Sequence, residues 1–119
     1  MARAAAANRY LEVVTTTARY SDARRIARTL VEKRLAACVQ IVGPIQSIYH
    51  WQGRVETAAE WLCLVKTTRA RYPQLAALIR RIHPYTTPQL IALPVVNGSS
   101  DYLAWLAAAV SPARRTPAT

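Results

Sequence analysis

Two long extended segments joined by a two-residue turn limit the fold of this chain more than any other feature. The first is residues 37–51, ACVQIVGPIQSIYHW, and the second runs from residue 54 to about 67. Gln52-Gly53 between them reads as a tight hairpin turn from Trp51 to Arg54. Gly43-Pro44 interrupts the first arm. A proline cannot donate to a ladder, so the interruption is a bulge or bend, or that part of the strand lies on an edge. The second arm has its expected buried stretch in Trp61, Leu62, Cys63, Leu64 and Val65. At ~3.3 Å per residue the arms reach roughly 40–50 Å, longer than a domain of this size usually needs. The excess is expected to project and to pair with something.

The flanking segments complete a β-α-β-β-α-β plan. YLEVVTTT at residues 10–17 is β-branched and reads as the first strand. Ser21-Asp22 supplies an expected helix cap and an acid where the helix dipole favours one. Ala23, Ile26, Ala27, Leu30, Val31 and Leu35 then fall on one helical face, with Arg24, Arg25, Arg28, Glu32 and Lys33 on the other. After the hairpin, Thr68 is the expected cap of a second helix, with Pro73 tolerated in its first turn. Tyr72, Leu75, Ala76, Ile79 and Ile82 line its inner face, and His83-Pro84 stops it. LIALPVV at residues 90–96 is the fourth strand, with Pro94 expected at an edge or bulge. Ser99 or Ser100 caps a last helix whose apolar face is Tyr102, Leu103, Leu106 and Val110. The two strand-helix halves echo each other, and right-handed crossovers between them predict an α+β, ferredoxin-like antiparallel sandwich with a long β2-β3 hairpin and a C-terminal helix.

The 119 residues fit one domain, expected over residues 9–110. A chain of this length buries roughly two-thirds of its unfolded surface without a disulfide or metal. Residues 1–8 and 111–119, rich in Ala, Arg and Pro, read as a disordered N-terminal and a flexible C-terminal tail. The first nine residues have no apolar core of the kind a secretory signal needs. No apolar run approaches the ~20 residues that span a bilayer, so no membrane partner is expected. Cys38 and Cys63 sit in apolar runs and read as reduced thiols in a cytoplasmic protein.

The net charge of +10 raises the possibility of nucleic acid. The basic residues are dispersed, however, and an RNA-recognition motif needs exposed aromatics on strands one and three. Strand one offers only Tyr10 at its start, and strand three only Trp61 inside an apolar run, so nucleic acid is not the expected partner. Catalysis is not expected either. The six acids form no evident acid-base pair, Thr15-Thr16-Thr17 has no Gly-rich phosphate loop beside it, and the two histidines build no nucleophile triad.

Six short motifs stand in order along the chain: Leu35-Ala36-Ala37-Cys38-Val39, Tyr49-His50-Trp51-Gln52-Gly53, Lys66-Thr67-Thr68, His83-Pro84-Tyr85-Thr86-Thr87-Pro88, Ile91-Ala92-Leu93-Pro94-Val95 and Tyr102-Leu103-Ala104-Trp105. Together, over residues 11–106, they resemble the CutA family of divalent-cation tolerance proteins. The resemblance implies a ferredoxin-like fold related to the PII signalling proteins, assembled as a tight homotrimer through the long hairpin. It further implies a role in tolerance to divalent metals, with Cu(II) or another divalent cation as a candidate ligand.

Residue by residue, the family's clustered positions fall on Cys38, Tyr49, Trp51, Lys66, His83 and Tyr85. Cys38 and His83 are the candidate metal ligands, since thiolate plus imidazole suits copper or zinc. Tyr49, Trp51, Lys66, Tyr85 and Gln89 are candidates to line a ligand cleft between subunits. Two positions depart from the family pattern: Gln40 stands where many members have Asn, and Gln89 where Glu usually follows the His-Pro-Tyr-x-x-Pro motif. A neutral amide at residue 89 is a poor substitute for a carboxylate toward a transition metal. Each candidate also has a structural reading: His83 as a helix-end residue, Lys66 as a strand end, and the aromatics as core or interface anchors. The alternative for the whole chain is a stable trimeric scaffold or partner-binding protein without metal chemistry.

Overall fold

The computed structural model describes residues 9–112, from which the seven elements follow. They are β1 (Tyr10–Thr17), α1 (Tyr20–Glu32), β2 (Cys38–Trp51), β3 (Arg54–Thr68), α2 (Tyr72–Ile82), β4 (Ile91–Pro94) and α3 (Ser100–Ala109). The strands form one antiparallel sheet in the order β2-β3-β1-β4, which is the ferredoxin-like α+β arrangement. The expected tails at 1–8 and 111–119 lie outside the described residues, apart from Ser111 and Pro112.

The hairpin forms as its sequence dictates. Gln52 and Gly53 both take positive φ, 48° and 77°, the backbone of a two-residue turn whose twist matches its strands. Trp51 faces Arg54 across it. Gly43-Pro44, a cis peptide, marks a register shift between Val42 and Ile45. Glycine is required there by close approach: a Cβ on Gly43 would lie 2.5 Å from the Trp61 ring. That ring in turn meets Tyr20 of α1 edge to face at 5.1 Å, tying the hairpin to the first helix.

The core lies between one sheet face and the helices. Leu11, Val13, Cys63 and Val65 meet Ala23, Ile26 and Leu30 of α1 and Leu75, Leu78 and Ile79 of α2, all buried. Two residues of the expected helix faces behave differently. Val31 is 42 % exposed, and Leu35 reaches the core from beyond the helix. Arg34 takes φ 58°, and the N–H groups of Leu35 and Arg34 bond the carbonyls of Leu30 and Val31. This is the closing pattern of a helix C-terminus, with arginine in the position glycine usually holds.

Three boundaries differ from the expectation, two because a strand claims residues first and one because a proline ends a strand early. The cap position of α1 is Arg19 and not Ser21, since β1 runs to Thr17 and the Thr17 hydroxyl bonds the Arg19 carbonyl at 2.8 Å. Thr68 does not cap α2: it is the last residue of β3, opposite Tyr10, and Arg71 takes the cap position. β4 is shorter than residues 90–96, because Pro94 ends the ladder apart from one bond from Val95 N–H to the Tyr10 carbonyl. As expected, Pro94 sits on an edge strand.

The predicted buried run 61–65 is only half buried. Cys63 and Val65 are fully enclosed on the helix side, whereas Leu62 and Leu64 turn to the other face and stay partly exposed. Val42, Ile91 and Leu93 on that face are exposed outright. A strand that is apolar on both faces suits a sheet covered on both sides; the two core helices cover only one.

One core group is a built-in cost. The Thr15 hydroxyl is fully buried with no hydrogen-bond partner among the described residues. Thr15→Val keeps the shape and removes the unpaired group, so it is expected to stabilise the fold by about 1 kcal/mol. A rise in melting temperature measures this, and a fall would show that the hydroxyl is satisfied.

Candidate functional site

The site is organised by the residue that ends α2. His83 leaves the helix with extended backbone, φ −69° and ψ 135°, because proline follows. Its ring turns inward, 7 % exposed. There Nε2 donates to the Thr16 carbonyl at 2.8 Å, and Nδ1 accepts the Tyr85 N–H at 3.0 Å. The acceptor role of Nδ1 places the proton on Nε2, so the ring is neutral. Burial holds its pKa below the ordinary 6.5, with Arg25 acting in the same sense and the Thr16 carbonyl, Asp22 and Glu60 opposing. His83 thus pins the following loop to the end of β1.

That loop delivers Tyr85 to a carboxylate. The Tyr85 hydroxyl donates to Glu60 Oε2 at 2.8 Å, and Glu60 is itself only 8 % exposed. Burial, then the hydrogen bond and charge of Glu60, push the Tyr85 pKa well above its usual 10, so the phenol stays a donor. The His83 and Tyr85 rings lie 4.9 Å apart. Around this chain opens a cleft of about 390 Å³, walled by Tyr49, Trp51 and Tyr85, with Thr16 and Glu60 from the sheet and Thr86, Thr87 and Gln89 from the loop. Among the described residues Glu60 is the one charged side chain lining it.

The structure therefore gathers Tyr49, Trp51, Tyr85 and Gln89 at one place, and leaves Cys38 and Lys66 elsewhere. Lys66 forms an ion pair with Glu12, both largely buried. It stands six residues along β3 from Glu60, roughly 20 Å away. Cys38 is opposite Lys66. Thr16, which His83 holds, is opposite Leu62, four residues from Lys66 and so roughly 13 Å distant. One chain does not bring Cys38 and His83 together, and both nitrogens of His83 are already engaged. Among the described residues no three His, Cys, Asp or Glu side chains cluster as metal ligands would. Cys63 is enclosed, and burial pushes its thiol up to about 11, which leaves it inert.

Sequence reasoning missed Glu60 and Thr16. Glu60 carries a signal in retrospect: it is the acid at the entry to the apolar run Trp61–Val65, in the alternation of Leu62, Leu64 and Lys66. Thr16 contributes its backbone carbonyl to His83, which no side-chain pattern reveals.

A ferredoxin-like sandwich with an overlong central hairpin and an aromatic cleft between that hairpin and the loop after α2 defines a distinct class of small domain. Comparison with known proteins agrees with it. The family model described as CutA1 divalent ion tolerance protein matches residues 11–109, and the chain belongs to that family. It is 50 % identical over 96 residues to the divalent-cation tolerance protein CutA of Thermus thermophilus, covering 80 % of this chain and 93 % of that one. Protein CutA of Homo sapiens is 46 % identical over 84 residues, 71 % of this chain; this chain spans about half of the mammalian relatives, 47 % in the human case. Among solved structures, the T. thermophilus divalent cation tolerance protein superimposes with a TM-score of 0.81 at 46 % identity, over 83 % of this chain and 96 % of that one. CutA1 of Ehrlichia chaffeensis gives 0.84 at 30 % identity, over 88 % and 98 %.

Proposed function

We propose that this chain is a homotrimeric, non-catalytic binding module of divalent-cation tolerance, acting in the cytoplasm and taking a cation or small ligand in clefts at the subunit junctions. The cleft carries the reading. Three aromatic walls and one buried carboxylate are held in place by the Thr16–His83–Tyr85–Glu60 chain of hydrogen bonds. Such a cavity falls in the size range of small-molecule sites. The group best placed for acid-base work, His83, has both nitrogens committed to structure, which favours binding over catalysis.

Assembly is supported by what a single copy leaves uncovered. Ile48, Trp51 and Val55 on the hairpin are 54–66 % exposed, and Val42, Ile91 and Leu93 on the open sheet face 44–48 %. Contiguous apolar surface of this kind marks an interface. Strand edges of this length also call for a partner. The number three follows the family resemblance. A divalent ion shared by Cys38 and His83 would need donors from two copies, since one chain keeps them apart. The two free thiols fit a reducing compartment.

Native mass spectrometry combined with a thermal-shift panel of copper, zinc and small metabolites tests the reading. The expected mass is about three times the 13.2 kDa of one chain. A true ligand raises the melting temperature in proportion to ln(1 + [L]/Kd). A monomeric mass together with a panel that shifts nothing would overturn it.

A further inference from the structure

We propose that the ligand of this cleft is an organic ammonium ion, held against the Tyr49, Trp51 and Tyr85 rings with Glu60 as its counter-charge. The inference rests on the binding-module reading and names the chemistry of that site.

The groups that this chain itself brings to the cleft disfavour the other classes in turn. An anion would meet a carboxylate: among the described residues Glu60 is the one charged side chain lining the cleft, and Lys66 is roughly 20 Å off and paired with Glu12. A hard divalent cation needs six or more oxygens. Here it would find one carboxylate, already bonded to Tyr85, beside neutral hydroxyls and an amide, while the ring faces supply no oxygen. A soft metal needs thiolate or free imidazole, and neither faces the cleft. An alkylammonium ion needs what is present. In its quaternary form the charge is diffuse and weakly hydrated, the carbon surface packs on rings, and the cation is drawn to ring quadrupoles and to a carboxylate in a low-dielectric wall.

The net charge of +10 does not prevent this. Charges farther off than the Debye length of about 8 Å at physiological ionic strength are largely screened, whereas Glu60 is in contact range. Tyr85 adds orientation: it ties up Oε2 and leaves Oε1 for the ligand.

The test is isothermal titration of the full-length assembly with choline and with its neutral carbon isostere, 3,3-dimethylbutan-1-ol, alongside tetramethylammonium and butylammonium. The cations are expected to bind at least tenfold more tightly than the isostere. Glu60→Gln, which keeps volume and a carbonyl for Tyr85, is expected to erase most of that preference. Trp51→Ala is expected to weaken choline roughly 2- to 30-fold, the range of one cation–π contact, with partial recovery in Trp51→Phe. Equal affinity for choline and the isostere, or an unchanged preference in Glu60→Gln, would overturn the inference. So would failure of every ammonium ion to bind. If copper, zinc or a neutral metabolite binds while no ammonium does, the ammonium assignment falls and the binding module stands. Should Glu60→Gln not fold, the choline-isostere comparison on the unaltered protein decides alone.

Discussion

Leu64→Glu is expected to turn the proposed trimer into single chains of 13.2 kDa that keep their fold. Leu64 sits mid-sheet between Gln40 on β2 and Val14 on β1, on the face opposite α1 and α2. In one copy it keeps partial exposure at the sheet surface, so a glutamate there can turn its carboxylate toward water and the single chain is expected to keep its fold. In a closed assembly the same carboxylate is dehydrated once per subunit, and each unpaired buried charge costs several kcal/mol. Every 1.4 kcal/mol is a factor of ten in association, so the loss should be complete at micromolar concentration. Native mass and circular dichroism read both halves of the expectation. Arg24→Glu, on the exposed side of α1, is the control and should leave the mass unchanged. A Leu64→Glu protein of unaltered mass would place the junction on another surface.

His83→Ala is expected to cost roughly 2–4 kcal/mol of stability, because it leaves the Tyr85 N–H without its acceptor and opens a void beneath the loop. It should also abolish ligand response, since Tyr85 and Glu60 lose their anchor. A pH signature separates this from a generic cavity. Burial, the leading cause, lowers the folded-state pKa of His83 below 6.5, so the unfolded chain binds the extra proton more readily. The stability His83 contributes is therefore fully present above about pH 6.5 and is lost as pH falls through the folded-state pKa. Within that window the slope approaches about 1.4 kcal/mol per pH unit for each chain. Protonation must occur at Nδ1, which would displace the Tyr85 N–H, so cleft occupancy should weaken in parallel. Denaturant titrations between pH 5 and 8 check this. The slope attributable to His83 should vanish in the alanine variant; if it persists, another group titrates.

Much of the fold was legible because its signals are local. Gln52-Gly53 demands a left-handed two-residue turn wherever it occurs, and Gly43-Pro44 breaks a ladder in any context. The face Ala23, Ile26, Ala27, Leu30 repeats at the period of a helix. The caps were misjudged for a reason of the same kind seen from outside: Thr68 is a good capping residue, but the ladder with Tyr10 reached it first. Four of the cleft residues, Tyr49, Trp51, Tyr85 and Gln89, came from the motif resemblance. The same motifs grouped Lys66 with them and Cys38 with His83, because order along a chain does not say which end of a strand a residue occupies.

By itself the sequence determined the element order and the overlong hairpin, which depend on backbone preference and apolar period within a few neighbouring residues, and its six ordered motifs carried the resemblance to the family. Tertiary structure alone decided that Lys66 is consumed by Glu12, that both His83 nitrogens are spent on Thr16 and Tyr85, and that Glu60 is the charge at the cleft. Apart from the local His83–Tyr85 contact, these are pairings between residues more than twenty positions apart, set by strand register and by the competition of each polar group for a partner as water leaves. The hairpin that most restricted the fold also supplies two of the cleft's three aromatic walls, Tyr49 and Trp51.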